Sequence, residues 1–231
     1  MLKPMFSTVA ETYDICNKFL TLGLDKRWRK ACAKQSSNGH LTVDLCCGTG
    51  DLTFNLLKNL DQNSFLLGID FSKEMLSRAI AKKSKNKLVS KDNFAFVIAD
   101  AAHLPLKGNY VDTIKISFSF RNLLYKNPKA IAYLKEVNRT LKPDGKFICV
   151  ETSQPKNRFV KRFFRFYCLS IIPFVGGWLS GAKPAYKYLG NSAANFPVPF
   201  DILAMFKRAG FTDTSFKPLS FGVIGLYMAS K

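Results

Sequence analysis

Short apolar runs recur along the chain. Each is closed by an acid or a turn, and each is followed by residues spaced as one face of a helix. Leu41-Thr42-Val43-Asp44-Leu45 is the first; it breaks at Gly48 and Gly50, and a helix starts at Asp51 or just after, with Asp51 as its expected cap. Residues 64 to 70 form the next strand, after which Ser72 caps a helix carrying Met75, Leu76 and Ala79 on one face. The basic run from Ala81 to Lys87 reads as a solvated helix end or loop. A third strand covers 94 to 99, the stretch Ala102 to Leu106 turns the chain, and a fourth strand runs from Tyr110 to Ser117. A helix from about Pro128 to Leu141 ends at the turn Lys142-Pro143-Asp144-Gly145, and Lys146 to Glu151 is the fifth strand. Strand and helix alternating in this way predict a doubly wound, Rossmann-like α/β core over 41–152, its parallel sheet joined by right-handed crossovers.

The flanks follow other rules. Residues 1–38, with Phe6 to Asp14, Asn17 and the stretch Thr21 to Arg29, suit two short helices broken by a glycine, a cap over the pocket. From Pro155 to Pro199 no clean βα unit is present. Lys156 to Tyr167 interleaves basic and aromatic residues, and Cys168 to Ser180 is uncharged. That run is too short for a spanning helix, which needs about 20 apolar residues. It reads as an interfacial amphipathic helix, or else as a lid whose apolar side packs on the domain. Residues 200–231 return to regular structure: a helix from Asp201 stopped by Gly210, then closing strands near 212–217 and 221–229. The 231 residues form one domain with an appended subdomain.

The turn after the first strand is where the chemistry is expected. A dinucleotide turn wants a third glycine, but Thr53 stands there, and Asp44 would repel a pyrophosphate. No Gly-Lys-Ser/Thr follows, which excludes a Walker loop. Asp70 closes the second strand, placed to take ribose hydroxyls, and Asp100-Ala101 follows the third, suited to an adenine edge. Acids in register with Gly48 and Gly50 favour a cationic cofactor without phosphate, S-adenosylmethionine (SAM).

Composition adds a partner and removes a metal. The formal charge is +19, from 35 basic and 16 acidic residues, which points to an anionic surface. The cysteines form no Cys-x-x-Cys pair and the chain has 2 histidines, so no metal is expected. Several cysteines fall in core strands, as reduced thiols of a cytoplasmic protein do, and no secretory signal precedes the first element.

With these residues in view, the chain resembles the ubiquinone/menaquinone biosynthesis C-methyltransferases along nearly its whole length. One signature is Tyr13-Asp14-x-Cys16-Asn17-x-x-Leu20-Thr21-x-x-x-Asp25-x-x-Trp28, where the family usually has Met, Ser and His at positions 16, 21 and 25. Another is Arg139 to Phe147, running on to Glu151-Thr152-Ser153, with Asp144 in place of a usual glycine. Between them Ser117-Phe118-Ser119-Phe120-Arg121-Asn122 is similar to Ser-Phe-Gly-x-Arg-Asn, and Tyr186-Lys187-Tyr188-Leu189, Ser192 and Phe196-Pro197 also match.

The resemblance implies a class I SAM-dependent methyltransferase sheet of seven strands, mostly parallel with an antiparallel last hairpin. It implies methylation of a ring carbon of a prenylated quinol: 2-demethylmenaquinol, the methoxy-benzoquinol precursor of ubiquinol, or both. Cofactor contacts carried over fall on Thr49, Asp70, Asp100, Ala101 and Ser117. Arg121 and Asn122, just past the fourth strand, are the expected catalytic pair, Arg121 stabilising an oxyanion and Asn122 orienting it or a water. Tyr13, Tyr186 and Tyr188 are expected in the substrate pocket. A substrate with a bilayer-embedded tail calls for peripheral docking on an anionic membrane through Lys156 to Tyr167. A homodimer is left open. An RNA methyltransferase is the competing enzyme reading, but no base-recognising motif such as Asn-Pro-Pro-Tyr is present, so no nucleic acid is expected. A non-catalytic scaffold would have lost Asp44, Asp70 or the glycines.

Overall fold

The computed structural model describes residues 9–35, 39–85 and 93–231. Phe6 to Thr8 of the expected cap and Asn86-Lys87 of the basic run lie outside the described residues. In chain order the elements are α1 (Tyr13–Leu20), α2 (Asp25–Ala33), β1 (Leu41–Leu45), α3 (Asp51–Leu57), β2 (Phe65–Asp70), α4 (Lys73–Lys85), β3 (Phe94–Ile98) and β4 (Val111–Ser117). Next come α5 (Phe120–Leu124), α6 (Ala130–Thr140), β5 (Leu141–Thr152), α7 (Arg158–Phe166), α8 (Ile172–Ser180), α9 (Lys183–Ala194), α10 (Pro199–Arg208), β6 (Thr214–Leu219) and β7 (Ile224–Ser230).

The seven strands lie in the order β3-β2-β1-β4-β5-β7-β6. Strands β1 to β5 pair in parallel, and β7 inserts antiparallel between β5 and β6. The order reverses between β1 and β4, and at such a switch point the strand ends diverge to leave a crevice. Both faces of the sheet are covered, which is why its strands read as apolar runs rather than alternating ones. Phe120, Phe147, Phe206 and Phe211 pack ring to ring on one face; Cys32, Leu52, Leu56, Leu66 and Ile148 fill the other.

Two local expectations are corrected. Gly50 in the left-handed region (φ 82°) caps α3, and Asp51 is the first helical residue. Asp44 lies inside β1, as the apolar run has it. The expected turn at 142–145 is a bulge within β5: Val111 pairs with Leu141 but Thr113 with Lys146, and Asp144 takes φ 63°, a conformation glycine adopts without cost.

The cap is bolted to the sheet from inside. Lys115 of β4 is fully buried, and its ammonium donates to the carbonyls of Cys32 (3.3 Å), Ala33 (3.0 Å) and Gln35 (2.7 Å) at the end of α2. They lie at the carboxyl end of the helix, where carbonyls run short of intrahelical partners, and the cation meets the negative end of the dipole. Burial lowers the Lys115 pKa, the cost these contacts offset.

The basic-aromatic segment and the apolar run are one continuous helix, Arg158–Ser180, of 23 residues. The uncharged run, short by itself, is thus the second half of a longer helix. Among the described residues it is the one helix long and apolar enough to cross a membrane. Asn157 caps it, its Oδ1 accepting from the amides of Phe159 (2.9 Å) and Val160 (3.2 Å). A π-helical turn at Tyr167–Ile171 precedes Pro173, loosening the ladder where proline lacks its donor. Cys168, Ile172 and Gly176 bury one face against α9, where Gly190 is obligatory because a Cβ would strike the Cys168 carbonyl. On the other side Phe163, Phe174 and Trp178 are 73 to 80% exposed.

Candidate active site

Two cavities open at the strand ends. A polar cleft of about 520 Å³ runs over the ends of β1, β2 and β3, walled by Cys46, Gly48, Asp70, Met75, Asp100 and Ala101 among others. An apolar cavity of about 240 Å³ lies beneath the helical segments, walled by α1, α2, α9 and the 158–180 helix. Their linings share two residues, Tyr13 and Asn122.

The cleft is a concentrated acidic site. The Asp70 carboxylate accepts from the backbone amides of Gly48 (2.8 Å) and Ser72 (2.9 Å), which fixes it across the turn. Burial raises its pKa nonetheless. Burial and the carboxylates of Asp70, Asp44 and Asp100 push the Cys46 thiol up, so these acids act on one point. Gly48 sits at φ 55° with open space where a Cβ would stand, so a side chain there would fill the cleft. Acidic walls, apolar flanks at Met75 and Ile98, and a bare backbone at Gly48 fit a cation with ribose hydroxyls and an adenine, which is SAM.

Four of the residues expected to contact cofactor wall this cleft: Gly48, Asp70, Asp100 and Ala101. Asp44, Thr49, Gly50 and Ser117 wall neither cavity. Asp44 is 1% exposed beneath the turn, accepting from Thr53 Oγ1 at 2.6 Å, with its other oxygen buried and unpartnered. Burial pushes it up to about 7. Thr49 is occupied in a latch: its hydroxyl donates to Asp14 (2.7 Å) and accepts from Lys82 (3.0 Å), whose ammonium also reaches Asp14 (2.6 Å) and Asp51 (2.7 Å). The latch ties α1 to the glycine turn. Ser117 is held in register with Val150.

The apolar cavity gathers Tyr13, Tyr186, Tyr188, Arg121 and Asn122, residues far apart in the chain. Burial raises the pKa of all three tyrosines, so they stay neutral. Arg121 is 5% exposed and already engaged: it meets Glu151 Oε1 at 2.7 Å, Thr152 Oγ1 at 3.2 Å and Ser192 Oγ at 2.9 Å. Its charge is neutralised, and it joins β5 to α9. Asn122 faces both cavities. The same wall holds Asp25, a signature position to which the sequence assigns no role, and Arg29, outside the signature; they form a buried ion pair one helical turn apart on α2. Their opposite charges at i and i+4 were the available signal.

Comparison with known proteins agrees with this geometry. A model of the ubiE/COQ5 methyltransferase family matches residues 1–231. The chain belongs to that family. It is 37% identical to the ubiquinone/menaquinone biosynthesis C-methyltransferase UbiE of Rickettsia felis, with all of this chain aligned to 92% of that one. It is 34% identical to the demethylmenaquinone methyltransferase of Lactiplantibacillus plantarum, over 98% of this chain and 94% of that one. In fold it is similar to a SAM-dependent methyltransferase of Thermotoga maritima (TM-score 0.66, 16% identity, 98% of each chain covered) and to one of Aquifex aeolicus (TM-score 0.56, 16% identity, 83% of this chain and 81% of that one). This family member is a SAM-dependent C-methyltransferase.

Proposed function

We propose that the acceptor is a prenylated quinol, 2-demethylmenaquinol or the methoxy-benzoquinol precursor of ubiquinol, with its ring held where the two cavities meet. The relatives named above are enzymes of quinone biosynthesis. The observation that carries the reading is the shared wall: Tyr13 and Asn122 border both the acidic cleft and the apolar cavity. When bound in the cleft, SAM supplies an electrophilic methyl on sulfur. The chain's task is then to orient the acceptor in line with it and to exclude water. Asn122 donates to or accepts from the ring oxygen. Arg121, held by Glu151 and Ser192, keeps Asn122 and α9 in place. Leu20, Phe164, Tyr167 and Leu189 give the cavity an apolar wall suited to the first units of a prenyl tail.

In this reading the whole chain works as one domain, with residues 1–38 a cap and 155–199 a lid. The lid also docks the enzyme on anionic membrane. Its outer face carries Phe159, Phe163, Phe174 and Trp178 beside Lys161, Arg162 and Arg165, which combines apolar anchors with positive charge. Incubation with SAM and a reduced short-chain quinol tests the reaction: methylated quinol is expected, and SAM binding without turnover on any reduced quinol would refute it. Sedimentation with anionic vesicles tests the docking. Changing Lys161, Arg162 and Arg165 to Glu should abolish it, and equal binding by that variant would refute it.

A further inference from the structure

A quinol ring carbon becomes nucleophilic as its neighbouring hydroxyl gives up a proton, so the reaction needs an acceptor for it. The apolar cavity offers few. Among the described residues in its wall, the ionisable side chains are Tyr13, Tyr167, Tyr186, Tyr188, Cys168, Arg29, Arg121 and Asp25. Burial raises every one of these tyrosines and pushes Cys168 up to about 12, so all stay protonated near neutrality. An arginine has no proton-free form at working pH. Glu151 is fully buried behind Arg121 and outside the wall. Asp25 remains.

Its setting suits the task. Asp25 is 6% exposed near the head of α2; one carboxylate oxygen pairs with Arg29 and the other lies 3.0 Å from Thr21 Oγ1. Each oxygen keeps lone pairs for a further donor. Beside it the Arg29 Nε is buried with no partner, a donor that a native interior seldom leaves idle. The guanidinium lies 5.2 Å from the centre of the Phe118 ring, another residue of this wall. A hydroxyl seated here would accept from Arg29 Nε and donate to Asp25.

We infer that Asp25 takes the proton of the quinol hydroxyl while Arg29 Nε–H holds the same oxygen. The inference rests on the quinol reading above. The quinol O–H proton passes to the Asp25 carboxylate as the ring's electron pair forms the new C–CH3 bond and the S–CH3 bond breaks, its electrons remaining on sulfur. The proton on the methylated carbon then leaves to water, and Asp25 returns its proton to the oxygen as the ring regains aromaticity. The charges around Asp25 are Arg29 on its own helix, Asp51 of α3 at 3.9 Å from Arg29, and across the cavity Arg121 of α5 with Glu151 of β5; Tyr13 of α1 is neutral.

The test uses the full chain with Trp178 replaced by Phe, so that Trp28, which lines this cavity, is the sole tryptophan reporting the bound ring. Quenching of Trp28 and turnover in the parent chain judge the quinol reading itself, whatever the Asp25 variants do. Asp25→Asn is expected to lower kcat about 100-fold or more while the quenching midpoint stays within about threefold. Asp25→His is expected to regain at least about tenfold over Asp25→Asn, with the rising limb of kcat displaced to higher pH because imidazole titrates about two to three units above a carboxylate. Three results overturn the inference: Asp25→Asn keeping more than about a third of kcat, Asp25→Asn losing quenching in step with kcat, or no recovery in Asp25→His.

Discussion

The acidic cleft and the apolar cavity beside it share Tyr13 and Asn122 but are assembled in opposite ways. The cleft is made where strands end: Asp70 terminates β2, Asp100 follows β3, and Gly48 follows β1, all fixed by a sheet whose register leaves their positions no freedom. The cavity is made by helices from either end of the chain, with its wall drawn from α1, α2, α5, α9 and the 158–180 helix. Point contacts hold those helices to the sheet: the Lys115 cap, the Lys82 latch and the Arg121–Glu151 pair. In the proposed reading the cofactor sits in the half fixed by strand ends, and the acceptor in the half assembled from helices.

A substitution in one half, read out in both, tests whether the two are independent. Asp70→Ala removes the carboxylate that spans the Gly48 and Ser72 amides. It should weaken adenosylhomocysteine binding about 100-fold in calorimetry, as loss of charge-assisted hydrogen bonds does, while quinol quenching of tryptophan changes little. Equal losses in both would mean that the halves are not separable. Gly190→Ala drives a methyl into the Cys168 carbonyl and forces α9 off the long helix. Overpacking of this kind costs about 1–3 kcal/mol, so acceptor KM should rise by about tenfold or more with adenosylhomocysteine affinity within about threefold. An unchanged KM would show that this helix pair does not shape the cavity.

The smallest effect concerns pH. Asp44 is pushed up to about 7 by burial, whereas an unfolded aspartate titrates near 3.9. Between about pH 4 and 7 the folded chain therefore holds a proton that the unfolded chain releases, and stability falls as pH rises through that window, then levels off. Asp44→Asn should remove most of that slope in melting temperature against pH, with a remainder from Asp70, whose pKa is raised in the same direction. A slope equal to that of the parent would contradict the assignment.

The same division explains what the residues disclose before folding. Asp70 and Asp100 are legible because a strand end fixes a site within a few positions of its own apolar run. Asp44 misleads for the same reason: its place beside the glycines marks the turn, yet the alternation of β1 points it beneath, onto Thr53. The turn at 142–145 misleads because a bulge and a chain reversal want the same residues, and only the pairing with Val111 tells them apart. The apolar wall is harder, since no local pattern brings Tyr13 to Asn122 and Tyr188. Resemblance marked those residues and the position of Asp25, but packing alone joins Asp25 to Arg29 in this wall.

Asn122 is the polar side chain that both cavities share beside Tyr13. Steady-state kinetics of Asn122→Ala with a reduced short-chain quinol, alongside calorimetry with adenosylhomocysteine, test its role most directly. The expected kcat is lower by about 100-fold, the usual loss when one preorganised polar group is removed, with both affinities within about fivefold of the parent. A kcat within about threefold of the parent would contradict it, because methyl transfer would then not take place where the two cavities meet.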